Sequence, residues 1–382
     1  MNRDILHLIS AALNEKESVR LSDNTDWNKI FSIAKKHNII SSVYKGMELL
    51  PQEKLPDDEL FLKLQIQYGY EIRQSALQLQ EIERIQSAFE NAGIYSIAMK
   101  GCNTKLRYPE TALRSMGDLD ILIKADQNKL VFDAMRELGY TEFEEGRKHD
   151  HYRGGSSAGI EMHRELVPAN SEFSEYYKDI WTRCSAKDDS TYTYSMSIED
   201  EYIFNIIHLI QHFKLGGIGI RFIMDVYVYN HLCTLDHAYV NEEFEKLGIR
   251  KFVDNLVKLS ENWFDNKLFS DDEMVLLKKL GKYILNGGLF GSAENASALQ
   301  TSKGRNKFLL SAVFPDYKSM VSLYPWLEGK AFLLPYAWAH RGIKSLFFRR
   351  GNIKTMVGIY KHTDKDKTQK LKRFYSYCGL EI

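Results

Sequence analysis

At Gly93 the hydrophobic period of this chain changes, and that change limits the folds open to it. Residues 59–91 form one helical stretch in which Ile72, Ala76, Leu79, Ile82, Ile85 and Phe89 recur at three- and four-residue steps, the repeat of a single buried stripe. "NAG" ends it, with Gly93 suited to the left-handed position after a helix. Short β-rich runs follow: "IYSIAM" at 94–99 and "LDILI" at 119–123. A helix is predicted over 127–138, closed by Gly139. "TEFEE", "HDHYRG" and "GIEMHREL" read as further strands, the last two joined by "GSSAG". Before the long helix, residues 3–20 and 27–48 read as amphipathic helices, with Asp26 as the N-cap of the second, and "LPQEKLPDDE" breaks the pattern with two prolines. From about 198 helical patterning returns and lasts to the end. The expectation is an α+β protein: a small mixed-sheet unit at 94–190, between a helical region at 1–93 and a helical domain at 191–382. A chain of 382 residues has room for two or three such parts, at ~150 residues each.

Charge excludes little. Lys plus Arg and Asp plus Glu both total 51, so no global field favours a polyanion or a polycation. The local exception is Lys330 to Arg373, with twelve Lys or Arg against two Asp. Its basic, aromatic stretch "WAHRGIKSLFFRRGNIK" is compatible with nucleic acid, but basic helices are more often a solvated face, and nucleic acid is not the favoured partner. The four cysteines are far apart and form no CxxC pair, which points away from a disulfide framework and towards a reducing cytoplasm. The first residues lack a signal-peptide apolar core, and no run of about 18 apolar residues predicts a membrane span.

The chemistry is carried by acids. Asp118 and Asp120 stand two apart at the start of "LDILI", so both side chains leave one face of the strand. Glu161 lies on "GIEMH", where Ile160 and Met162 face the core while Glu161 and His163 face the other way. If these strands are neighbours, three carboxylates converge. They would repel and take up protons unless a cation compensates, and oxygen-rich sites suit Mg²⁺ or Mn²⁺. Two such ions would serve an in-line phosphoryl or nucleotidyl displacement. "MKGCNTKL" puts Lys100 and Gly101 at a strand end before a helix, where backbone N–H groups favour anions. Lys105 and Arg114 add positive charge for a triphosphate.

A strand ending in Lys-Gly, a helix, "YP", an Arg, then G-D-L-D and later E-M-H resembles the nucleotidyltransferase superfamily. More narrowly the chain is similar to the bacterial uncharacterised nucleotidyltransferase family, related to the DNA polymerase β-like and CCA-adding enzymes. The likeness covers roughly 30–270, with its motifs confined to 98–165. It implies that Asp118, Asp120 and Glu161 are catalytic and bind divalent metal, two Mg²⁺ or Mn²⁺ ions. It implies that Lys100, Gly101, Lys105, Arg114, Gly117 and His163 lie at the nucleotide. The implied reaction moves an NMP group, AMP from ATP, to an acceptor and releases pyrophosphate. The acceptor is open: a small molecule, a sugar, a protein hydroxyl or an RNA end. The alternative is a catalytically silent nucleotide-binding or protein-interaction module on the same fold. Lys100-Gly101 stands where the better-known enzymes carry G-S or G-G.

Other features read more plainly. His149, Asp150 and His151 with Glu161 suggest zinc, but H-x-H pairs on hairpins are usually solvated, and charge pairing across the hairpin is the expectation. His208 and His212, four apart on one helix face, are expected in the core or at an interface, and the resemblance puts one of them at the acceptor cleft. "GGIGIRFIMDVYVY" lacks G-x-G-x-x-G and reads as a turn at Gly216, Gly217 and Gly219. Arg221 and Asp225 are four apart and either pair or point into the site, with the structural reading favoured.

Overall fold

The fold is a computed structural model describing residues 3–16, 19–145, 149–154, 159–292, 295, 313–348 and 365–381. Helices α1 (Arg3–Leu13), α2 (Trp27–His37) and α3 (Ile40–Met47) precede the 35-residue α4 (Asp58–Ala92). Asp26 caps α2, its carboxylate accepting from the Lys29 N–H. The single helix expected over 27–48 is two, because Asn38 takes the left-handed conformation (φ 56) and its N–H turns back to the Ala34 and Lys35 carbonyls. The first helix stops at Leu13, seven residues short of the expected 20.

Helix α4 starts at an Asp57 cap and closes on Gly93 at φ 70. Its buried side departs from the expected stripe. Ile82, Ile85 and Phe89 are buried, but Ile72 is 48% exposed and Ala76 is exposed too. Ser75 and Gln78 face inward instead. The cause is the loop against which α4 lies. Gln78 donates to the Met116 and Gly117 carbonyls at 3.0 and 3.3 Å, and Ser75 donates to Thr111 at 2.8 Å. These polar contacts tie α4 to the loop and turn Ser75 and Gln78, rather than Ile72 and Ala76, towards it.

The sheet is mixed, in the order β3-β4-β5-β2-β1-β7-β6. Its strands are β1 (Ser96–Met99), β2 (Leu119–Ile123), β3 (Glu142–Glu144), β4 (His149–Arg153), β5 (Ile160–His163), β6 (Ser185–Ala186) and β7 (Thr193–Ser195). β2 runs antiparallel to β1 and parallel to β5, β4 is antiparallel to β5, and β7 is parallel to β1. β6 and β7 are too short for a period to announce them in the sequence. Alternation divides the faces. Ala98, Leu119, Ile121, Ile160 and Met162 pack on Ile82, Ile85 and Phe89 of α4 and on Val131 and Met135 of α6 (Asn128–Glu137). The opposite face carries Ile97, Met99 and Leu122, which belong to a larger core, and beside them Asp120, Glu161 and His163.

That larger core joins both ends of the chain. It unites Ile5, Ile9 and Val43 with Ile207 of α7 (Ile198–Leu215), Met224 of α8 (Ile220–His231) and Leu256 of α10 (Arg250–Phe264). α9 (His237–Lys246) and α11 (Asp271–Asn286) complete it, with α12 (Tyr317–Leu323) and α13 (Leu334–Phe348) in a small cluster around Met320, Leu327 and Ala337. α14 (Lys365–Tyr377) returns to the main core through Tyr375, whose hydroxyl donates to the Phe213 carbonyl. Gly216 and Gly217, at φ 155 and 121, form the expected turn between α7 and α8. Residues 349–364 of the basic segment lie outside the described residues. Among the described residues no helix is long and apolar enough to cross a membrane.

Candidate active site

Lys100 follows β1 with φ 53 and ψ −125, a sparsely populated conformation that costs a non-glycine residue about 1–3 kcal/mol. It aims the side chain at β2: Nζ donates to Asp120 Oδ1 at 2.6 Å. The helix expected after it, α5 (Gly101–Thr104), is a single turn, so the dipole behind any anion there is short. Gly101 is required by space. A Cβ there would sit 2.6 Å from Met116 Sδ and 2.9 Å from Arg114 Nη1, nearer than side chains approach.

The parallel ladder places Asp120 directly opposite Glu161, and the β4–β5 ladder places His151 opposite Glu161 and His149 opposite His163. His163 Nε2 lies 2.7 Å from Asp120 Oδ1 and 3.5 Å from Glu161 Oε2, while His149 Nε2 is 3.3 Å from Glu161 Oε1. Burial alone would raise Glu161, but hydrogen bonds from His149 and His163, with the Lys100 charge, hold it well below the usual carboxylate range. Asp118 precedes β2 and is the most exposed of the three acids. Burial, then the charges of Glu161 and Asp120, raise its carboxyl. Donor atoms of Asp120, Glu161 and His163 all lie within 4.8 Å of one another; Asp118 belongs to no such group. The ladder therefore brings Asp120, Glu161 and His163 together, with Asp118 at the rim. Asp150, between the two strand histidines, is on the other face, buried and paired with Arg164 at 2.9 Å.

A cavity of about 700 Å³ opens on this face, lined by Lys100, Gly101, Gly117, Asp118, Asp120, Glu161 and His163 on the sheet side. Gly117 is exposed, with open space where a Cβ would stand. The opposite wall comes from α7 and α8: Asn205, His208, His212, Lys214, Arg221 and Phe222. His208 Nε2 is 3.1 Å from His212 Nε2, and both rings line the cavity; burial first, and then the Lys100 charge, keeps His208 neutral well below its ordinary value.

The cations are arranged differently from the sequence expectation. Lys105 does not line the cavity. Its buried Nζ donates to Gln78 at 2.9 Å, and burial with Arg114 repulsion lowers it to about 8. Arg114 does border the cavity, but its guanidinium grips Asp225 at 2.8 and 3.0 Å, and the Tyr108 hydroxyl donates to the same carboxylate at 2.6 Å. Arg221 therefore lacks the expected ion pair with Asp225. It donates to the Ser115 carbonyl at 2.9 Å, its Nε has no hydrogen-bond partner among the described residues, and burial lowers it to about 10. Lys214 is the functional candidate that motif reasoning missed, its one signal being charge beside a glycine turn, and Arg221, read as structural, lines the cavity as well. Asn38 and Phe290, which also line the cavity, carried none.

The model of the uncharacterised nucleotidyltransferase family matches residues 23–265, a span running from before α2 through α10. No curated protein and no solved structure matches the chain. Every acid, histidine and cation described above falls inside the matched span, and nucleotidyl transfer from a nucleoside triphosphate is the activity class that this membership supports. The chain belongs to the uncharacterised nucleotidyltransferase family.

Proposed function

We propose that this protein transfers a nucleoside monophosphate, AMP from ATP, to an acceptor hydroxyl or phosphate and releases pyrophosphate. The observation that carries the reading is Asp120 opposite Glu161 across parallel strands, at the edge of a cavity of about 700 Å³ that Lys100 and Arg221 also line. That volume is in the range of small-molecule sites.

The donor set suits a divalent cation. Asp118 is pushed up by burial and then by the charges of Glu161 and Asp120, and a cation relieves the charge repulsion. Asp118, Asp120 and Glu161 would hold Mg²⁺ or Mn²⁺, two ions in the full complex, which when bound supply charge neutralisation at the phosphates and favour ionisation of the acceptor. Lys100 leaves Asp120 for the triphosphate, and Arg221 in the opposite wall adds positive charge. Gly117 leaves room beside Asp118, and His163 orients the Asp120 carboxylate. Glu161 would share the cation that favours ionisation of the acceptor hydroxyl, whose proton passes to solvent. The acceptor oxygen bonds to the α-phosphorus as the bond to the bridging oxygen breaks, and pyrophosphate leaves with that electron pair. Positioning and charge supply most of the rate, as in phosphoryl transfer generally. In this reading 94–190 is the catalytic unit and 191–382 supplies the far wall of the cleft. Four free cysteines agree with a reducing cytoplasm.

One observation favours the silent alternative: Lys100 and His163 already compensate Asp120. Pyrophosphate release from ATP with Mg²⁺, across a panel of small-molecule, sugar, protein and RNA acceptors, separates the two. Release that is lost in Asp118→Ala plus Asp120→Ala supports transfer. Nucleotide binding by calorimetry without release, on every acceptor, supports the silent module.

A further inference from the structure

Beside the carboxylate group lies a second cluster with different chemistry. His149 and His151 alternate on β4, so their rings share a face. The antiparallel ladder sets His151 against Glu161. The two imidazoles stand nearly perpendicular, with centroids 4.6 Å apart and planes at 80°. Both approach one oxygen of Glu161: His149 Nε2 at 3.3 Å and His151 Nδ1 at 3.9 Å. One donor atom from each of the three residues falls within a common 4.8 Å. All three are partly buried, neither fully solvated nor locked in the core.

Hydrogen bonding accounts for the approach of His149 to Glu161 but not for that of His151. The 3.9 Å approach of His151 Nδ1 to the same carboxylate oxygen is too long for a hydrogen bond. One ion held by His149 Nε2, His151 Nδ1 and Glu161 Oε1 accounts for the convergence of all three. A tetrahedral ion with bonds of about 2.0–2.1 Å holds its ligands roughly 3.3 Å apart, which is the His149–Glu161 separation and a short rotamer adjustment from that of His151. Two imidazoles and a carboxylate leave coordination positions open, and imidazole ligands select borderline first-row ions over Mg²⁺. The other oxygen of Glu161, Oε2, faces His163 and Asp120.

We propose that His149, His151 and Glu161 form a binding site for a transition ion of the Zn²⁺ class, distinct from the oxygen-rich Mg²⁺ position and joined to it through the two oxygens of Glu161. Nitrogen donors set its selectivity, so it discriminates against Mg²⁺ where the carboxylate set does not. The site does not depend on nucleotidyl transfer, and it is read with metal alone.

The test is Co²⁺ titration of the chelator-treated full chain, followed by visible d–d absorption, with Zn²⁺ and excess Mg²⁺ as competitors. Expected is one equivalent with the intensity of a low-coordinate site, displaced by Zn²⁺ and retained in excess Mg²⁺. His149→Gln and His151→Gln each weaken it by about 100-fold or more, since loss of a ligand should exceed the 10–100-fold cost of losing a ligand's supporting partner. Unaltered binding in the double variant, or displacement by Mg²⁺ as readily as by Zn²⁺, overturns the proposal. If the variants do not fold, X-ray absorption of the Zn²⁺-loaded wild type decides instead. Two imidazoles in the coordination shell support the site, and oxygen-only coordination overturns it. Because pyrophosphate release plays no part in either readout, failure here leaves the transfer reading standing, and failure of transfer leaves this one standing.

Discussion

The Lys100 ammonium donates to Asp120 Oδ1 at 2.6 Å from a backbone held at φ 53, so the charge pair is made by a residue standing where glycine would be comfortable. Strain at a functional position persists when the surrounding structure over-determines it. Here β1 on one side and the tight approach of Gly101 to Met116 and Arg114 on the other leave the chain no alternative path.

This sets two substitutions apart. Lys100→Ala loses the pair and keeps the strain, whereas Lys100→Gly loses the pair and relieves it. The glycine variant should be more stable than the alanine variant by about 1 kcal/mol or more, while both lose nucleotide-dependent turnover. Urea denaturation of the two variants measures the difference, and equal midpoints would show that the conformation carries no strain.

Asp118 has the opposite sign from an ordinary salt-bridged acid. Its folded carboxyl is raised above 3.8 by burial and by Glu161 and Asp120, so the folded state binds more protons in that window. The contribution to stability is present at low pH and is lost as pH rises through the folded value. At neutral pH Asp118→Asn should therefore melt slightly higher than wild type without divalent cation. It should gain less from added Mg²⁺ and lose on the order of 10²–10³-fold in turnover, as when one preorganised electrostatic group is removed. Thermal melts with and without Mg²⁺ check the first two points.

Arg114 and Asp225 form a bidentate pair buried between loop and α8. Removing one partner leaves a buried charge, at a cost of about 3–5 kcal/mol. Arg114→Ala and Asp225→Ala should each lower the unfolding free energy by that much, read from the urea midpoint and slope. Arg114→Lys should not restore it, because an ammonium cannot reproduce the fork. If Arg114→Ala raises only the KM for nucleotide and leaves the midpoint alone, the residue is a phosphate ligand and not a brace.

His37 is a pH-sensitive tie between α2 and the C-terminal helices. Its Nδ1 accepts from the Ile220 N–H at 3.2 Å and its Nε2 is 3.3 Å from the Leu285 carbonyl, contacts that a neutral ring satisfies. Burial lowers it from 6.5 to about 4. The unfolded chain thus binds the proton first. Stability is complete above pH 6.5 and declines as pH falls towards 4, by as much as about 3 kcal/mol. His37→Gln should flatten that part of the stability profile, measured as urea midpoint against pH.

Much of this architecture was legible because local chemistry and global placement agree. Asp26, Asp57 and Gly93 punctuate helices by local hydrogen bonding, which neighbouring letters encode. The alternation through Ile160, Glu161, Met162 and His163 assigned faces without knowledge of the partner strand, and the register put Glu161 opposite Asp120. What failed was whatever depended on distant partners. Ile72 and Ala76 satisfy a helical period yet remain exposed, because the loop at 111–117 demanded Ser75 and Gln78. Arg221 seemed matched to Asp225 by spacing, but Arg114, 111 residues earlier, holds that carboxylate. Lys105 looked like a phosphate ligand until Gln78 claimed it.

The shared core of α1–α3 with α7, α8, α10 and α14 governs how this protein can be cut. A fragment beginning at residue 94 would uncover the apolar sides of α8 and α10 where α1 and α3 had lain, and one ending at 190 would lose Arg221, Lys214 and the aromatic side of the cleft. By the same geometry a graft or tag tolerated at one terminus reports on the health of the other, for both ends are fastened to the same set of helices.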